Sequence, residues 1–314
     1  VRNKRNLLKY FLELNAMIGA LWAALAGIGF GFFQVFNRKA MGAIGNAFKS
    51  TFILLLVSSV ILLLASFISA DVSLLKTASW RVYVNFGLAG FVHFFLGWTF
   101  INISQVRVGA ARTGALIGAT PLFATLVGLI FFEEYLSLPI IIGIAIVVYG
   151  VYVITSERNK DIGLQKERNS KWHDSIFGLG TAICFAFSAV FIRAGLEELD
   201  SPLLGVTVGM VISTIAYGII LIIQREKQSK VNIFQSLMLY QILAGVFVGL
   251  ATWMRWVSLD LAPVGVVMSL GRLNVPVILF VAPLLVGKKE ENVTKRIWIG
   301  AILTIFGSLI LIFL

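Results

Sequence analysis

Apolar residues run along this chain in long unbroken blocks rather than in alternation or in narrow stripes. Blocks of about the length that crosses a bilayer as a helix, roughly 20 residues, fall at 16–36, 50–69, 82–103, 108–132 and 138–155, then at 174–193, 202–223, 237–257, 263–286 and 296–314. None alternates as a barrel strand does, so helix is the economical way to satisfy the backbone in lipid. The pattern predicts an all-α integral membrane protein with ten transmembrane helices. Connections between blocks are short except at 156–173 (SERNKDIGLQKERNSKWH), a mixed-charge linker. It separates a first five-helix unit, 1–155, from a second, 174–314.

The second unit repeats the first. Phe30 to Arg38 (FGFFQVFNR) aligns with Phe185 to Arg193 (FAFSAVFIR) at an offset of 155. Downstream, Val108-Gly109 matches Val264-Gly265 at 156, and Glu133-Glu134, Gly143 and Gly150 match Glu290-Glu291, Gly300 and Gly307 at 157. A unit with an odd number of spans ends across the bilayer from where it starts, so its copy is upside down. Two inverted five-helix repeats are the plan of an alternating-access transporter.

Composition agrees. With 59% hydrophobic and 13% charged residues and a mean hydropathy of +0.93, the chain lacks the polar surface of a soluble protein. The single cysteine, Cys184, excludes an internal disulfide and a cysteine metal cluster. The net charge of +11 lies mostly between apolar blocks, where positives orient helices and meet lipid headgroups, so nucleic acid is not the expected partner. The basic start (Arg2, Lys4, Arg5, Lys9) leads into an apolar stretch longer than a signal-peptide core, which reads as a retained first span.

The chain resembles the drug/metabolite transporter superfamily, in its EamA-type branch of two tandem five-helix repeats. The resemblance is carried by Gly27 to Arg38 and Ala182 to Arg193 in the first helix of each unit. It continues from Pro121 through Phe132-Glu133-Glu134 to Gly143 and Gly150, mirrored by Pro276 through Glu290-Glu291 to Gly300 and Gly307. Lys288-Lys289, before the second glutamate pair, departs from it. The resemblance implies a secondary carrier for small metabolites, with a cavity lined by helices 1, 3, 4, 6, 8 and 9 and with helices 5 and 10 at the periphery. It implies no cofactor and no enzymatic activity, and the chain has neither a nucleotide-binding loop nor a hydrolytic constellation. The expected partners are a small-molecule substrate and membrane lipids, and the plan admits a monomer.

Charges within spans are costly and are therefore functional candidates. The carboxylates all lie at or near span ends or in connections, unlike the mid-membrane glutamate of a proton-coupled cation exporter. Instead Arg112 in the fourth block and Arg272 in the ninth each precede a proline, Pro121 and Pro276, which reads as a hinge in each half. A buried arginine holds a carboxylate or phosphate through parallel charge-assisted bonds, which points to an anionic or zwitterionic solute. Arg272, roughly 14 Å of helix past Pro263, approaches the bilayer centre, with Ser269 on its face and Asn274 nearby. Phe33, Gln34 and Asn37 on the first helix and Trp253 near the end of the eighth block are further substrate-binding candidates. Trp253 and Trp256 flank Arg255, where an interfacial belt and stacking around a solute are both open. His93 in the third block is the intramembrane group suited to carry a coupling proton.

These features favour transport of a small polar metabolite, an amino acid or organic anion, across the cytoplasmic membrane. A cationic drug exporter and a non-transporting scaffold or lipid-binding protein are the alternatives. Charge bias by itself puts both termini outside. The family resemblance and the basic N-terminus put them in the cytoplasm, which is the expectation kept.

Overall fold

A computed structural model describes residues 2–44, 47–70, 72–108, 113, 116–161, 175–223, 236–285 and 294–313, and among these it is all-helical. Apart from one short helix, Ser73–Thr77, the helices are α1 (Arg2–Ile44), α2 (Ala47–Ser69), α3, α4 (Thr120–Phe131), α5 (Leu138–Asp161), α6 (Ile176–Glu198), α7 (Pro202–Ile223), α8 (Ser236–Leu261), α9 and α10 (Lys295–Phe313). Helix α3 is continuous through Trp80–Gly90, a π-helical stretch Phe91–Gly97 and Trp98–Val108. Helix α9 runs as Val264–Leu270, a 3-10 turn Gly271–Leu273, and Asn274–Leu285. Eight of these are long and apolar enough to cross a membrane, whereas Thr120–Phe131 and Leu138–Val153 are shorter apolar helices. Large apolar side chains such as Leu25, Leu64, Phe67, Tyr149 and Ile302 stand exposed on the outside, as lipid-facing residues must.

Several helices outrun their apolar blocks. Helix α1 begins at Arg2 and α5 continues to Asp161, since Lys, Arg and Glu are good helix formers wherever they reach water. The linker therefore starts as helix. Pro121 occupies the first turn of α4, whereas Pro276 lies within α9, just past its 3-10 turn, where a missing N–H costs an intrahelical bond.

Packing is reciprocal between the halves. Helix α1 packs on α8 and α9, while α6 packs on α3 and α4; α2 meets α7, and α5 meets α10. Exchanging each helix for the one five places on reproduces the same set. The repeat-related helices α5 and α10 run antiparallel and touch at glycines. A Cβ on Gly150 would lie 2.7 Å from the Gly300 carbonyl oxygen, and one on Gly307 would lie 2.9 Å from that of Gly143. Glycine lets the two backbones approach to this distance, the usual device of helix association in lipid. Between α2 and α7, Ser59 and Thr214 hydroxyls pair at 2.8 Å and Ser66 and Thr207 at 2.9 Å, again antiparallel.

Candidate functional site

The π-helical stretch of α3 carries His93, which is 4% exposed. Such stretches shift the helical phase and recur at functional sites. Arg255 of α8 donates from Nη1 to His93 Nε2 at 2.9 Å, and Nη1 also lies 3.4 Å from Nδ1. His93 Nδ1 lies 3.0 Å from Ser188 Oγ of α6, and that hydroxyl donates to the Phe185 carbonyl at 2.9 Å. A guanidinium has no lone pair to offer. A neutral imidazole therefore suits this place, because a charged ring would set only N–H groups against the guanidinium. Its ring stacks on Phe185 with centroids 4.2 Å apart, and the Arg255 guanidinium stands 5.9 Å from the Phe30 centroid.

Arg272 joins this cluster from the 3-10 turn of α9. Its charge acts on Arg255, and both guanidinium groups act on His93. No described carboxylate pairs with either arginine. Nε and Nη2 of Arg255, Nε of Arg272 and Oδ1 of Asn274 are buried without a hydrogen-bond partner. Leaving charged donors unpaired in a protein interior is costly, which makes such groups inside a membrane protein candidates for function.

A second arginine site closes one end of the bundle. Arg193 of α6 donates from Nη1 to Glu134 Oε1 at 2.5 Å, from Nε to the Leu259 carbonyl at 2.7 Å and from Nη2 to the Ala262 carbonyl at 2.6 Å. Glu134 also accepts the Val264 N–H, 3.1 Å from each carboxylate oxygen, at the start of α9. The local sequence builds this latch. Glu133 adopts a left-handed conformation (φ 51) just past α4, which turns Glu134 back toward the helix so that its N–H reaches the Gly128 carbonyl at 3.1 Å. Gly128 leaves the space, since a Cβ there would meet the Glu134 carboxylate oxygen at 2.2 Å. Beside the latch an open cleft of 430 Å³ lies among Phe132, Arg193, Glu197, Asp260 and Pro263.

The profile of the EamA-like transporter family matches residues 17–156 and again 175–313. The chain belongs to the EamA-like transporter family. This is a family of membrane transporters of the drug/metabolite type, not of enzymes, and the two matches place one repeat in each half of the chain. Among curated proteins nothing matches. A protein solved by crystallography superposes with a TM-score of 0.70 at 16% identity, over 91% of this chain and 95% of that one. The likeness is one of fold.

In this EamA-like chain the sequence candidates scatter. Arg272 and His93 come to the cluster around Arg255, Asn274 is buried two residues past Arg272 with Oδ1 unpartnered, and Arg112 lies outside the described residues. Ser269 is fully buried and spends its hydroxyl on the Gly265 carbonyl at 2.7 Å, within its own helix. Trp253 packs edge-on against Trp22 at 5.6 Å, and Phe33 stacks on Trp98 at 5.9 Å. Gln34 is half-buried on α1. Asn37 belongs to another polar group, accepting from Ser50 Oγ at 3.2 Å, while Gln241 donates to the same Ser50 at 3.0 Å. From Gln241 to Arg255 is roughly 21 Å of helix. Arg255 carries the site without having been singled out, because its apolar block stops at 257. The helix itself continues to Leu261, and the side chain is 6% exposed. An arginine between two tryptophans was the signal available.

Proposed function

We propose that this chain is a secondary carrier of a small organic anion or zwitterion, amino acids included, and that it works by alternating access of two inverted halves. The observation that carries the reading is the pair Arg255 and Arg272, whose buried, unpartnered donors meet no carboxylate among the described residues, in a family of transporters. Two unbalanced positive charges attract an anion and repel the lipophilic cations of a drug exporter. The antiparallel run of α2 against α7 and of α5 against α10 supports inversion about an axis in the membrane plane. On this reading ten helices cross the cytoplasmic membrane, the termini are cytoplasmic, and the monomer is the working unit.

The latch of Arg193 and Glu134 serves as the gate at one end. It ties the end of α4 and the body of α6 to the junction of α8 and α9, so opening must break or move it. In the sequence repeat Arg38 and Glu291 correspond to Arg193 and Glu134; Glu291 and the side chain of Arg38 lie outside what the structure describes.

The experiment is uptake into proteoliposomes over amino acids, organic acids, sugars and nucleosides, with and without a proton gradient. Uptake of a carboxylate-bearing solute is expected. Transport confined to cations or to neutral sugars would overturn the reading.

A further inference from the structure

The two free donors of Arg255 are not an arbitrary pair. Nε and Nη2 form the side-on edge of a guanidinium, where two N–H bonds point in parallel and match the two oxygens of a carboxylate. Nη1, on the other edge, is the nitrogen held by His93. We propose that Arg255 is the carboxylate receptor of this transporter and that His93 is its positioning residue. His93 is itself held by Ser188, whose hydroxyl lies 3.0 Å from Nδ1. This rests on the anion-carrier reading above and deepens it. The bound group is a planar carboxylate, taken side-on, and neutral His93 keeps the guanidinium plane fixed so that no rotation is needed when the solute arrives.

The surroundings of His93 make the arrangement sensitive to acid in one direction. Helix α8 presents Arg255 to it and α9 adds the charge of Arg272. Helix α6 presents Phe185 and Ser188 and carries Cys184 alongside. Helix α7 turns Tyr217 onto Phe95, with its hydroxyl 3.0 Å from Thr99. No described carboxylate acts on the ring. A proton added at Nε2 places two donors face to face, so Arg255 must swing away and the fork is lost. Affinity for a carboxylate is therefore full where His93 is neutral and falls as acid protonates it.

The test uses purified full-length protein and calorimetric binding of succinate, L-glutamate, L-phenylalanine and phenylpyruvate, each beside its carboxamide. At least one carboxylate binds, and its amide binds more weakly by about 30-fold or more, the scale for losing one partner of a buried charged pair. Arg255→Ala loses at least as much, and Arg255→Lys recovers little because it has no fork. His93→Leu weakens binding, while His93→Gln, whose amide oxygen can accept from Nη1, recovers most of the loss. Down to about pH 6.5 wild-type affinity holds level, since His93 is neutral throughout. Binding that is indifferent to amidation or to Arg255 overturns the proposal while leaving an anion carrier standing. So does wild-type affinity that rises on acidification, since His93 would then take up a proton as the solute arrives. If no anion or zwitterion binds the wild type, the carrier reading itself fails. The amide series needs no variant, and thermal unfolding of each variant separates misfolding from lost recognition.

Discussion

Arg193 and Arg255 sit in helices of the same bundle and differ in what meets their donors. Arg193 sends Nε, Nη1 and Nη2 to two carbonyls and a carboxylate, and its guanidinium covers the Phe132 ring at 4.4 Å. Arg255 is deeper, yet of its three nitrogens only Nη1 has a partner, and that partner is uncharged. The first is an arginine used to hold protein to protein. The second keeps two donors unspent, as the receptor role proposed for it requires. Depth alone does not separate the two roles, but the inventory of donors does, because folding leaves a buried charge unpaired only where another constraint requires it.

The comparison breaks if the two arginines respond alike to removal. Arg255→Ala is expected to cost an anionic or zwitterionic substrate about 2–5 kcal/mol of binding. It should leave the thermal midpoint unchanged or raised, since replacing a poorly balanced buried charge by an apolar group is often neutral or stabilising. Substrate affinity and unfolding of the same preparation check both halves of the statement. Arg272→Ala should behave the same way, and Arg272→Lys should restore binding only in part.

Removing Arg193 should give the opposite signature. Glu134 and two carbonyls lose their partner, and a loss of about 2–3 kcal/mol of stability is expected, below the range for fully buried pairs because both side chains retain some solvent contact. Glu134→Gln combined with Arg193→Gln should cost less than the two single changes added together. A sum that is additive to within about 0.5 kcal/mol would mean that the pair does not act as a latch.

Smaller effects sharpen the contrast. Gly128→Ala pushes a methyl group into the Glu134 carboxylate, and about 1–3 kcal/mol of destabilisation should follow. In a Glu134→Gly background the methyl has room, so the penalty should shrink toward zero, read by the same unfolding assay. Ser269→Ala is expected to change substrate affinity by less than about 1 kcal/mol, the net worth of one neutral hydrogen bond. A larger loss would bring Ser269 into the binding site after all.

Much of the fold was legible from apolar blocks, since only helices satisfy a backbone in lipid. The glycines at 143, 150, 300 and 307 showed in the sequence as repeat matches, and the structure puts them at the α5–α10 contact. The break of α9 was not legible. Gly271–Leu273 tightens to a 3-10 turn ahead of Pro276, a change of helical phase that apolar spacing does not announce. The π-helical stretch around His93 was equally hidden, because a run such as FVHFFLG has the composition of any buried helix.

By itself the sequence determined the solvent, the helical class and the duplication, because hydropathy and repeat spacing are written into consecutive residues. Only the tertiary structure decided which charges face each other. At the repeat offset of 156, Arg255 falls on Thr99 and Arg272 on Leu116, so the chemistry of the site is not duplicated with the scaffold. Arg255, Arg272 and His93 are distant in sequence, and each alone resembles a residue at a helix end or in a core. Their meeting depends on how α3, α8 and α9 pack and where their helical phase shifts, which is a property of distances between helices and not of any one of them.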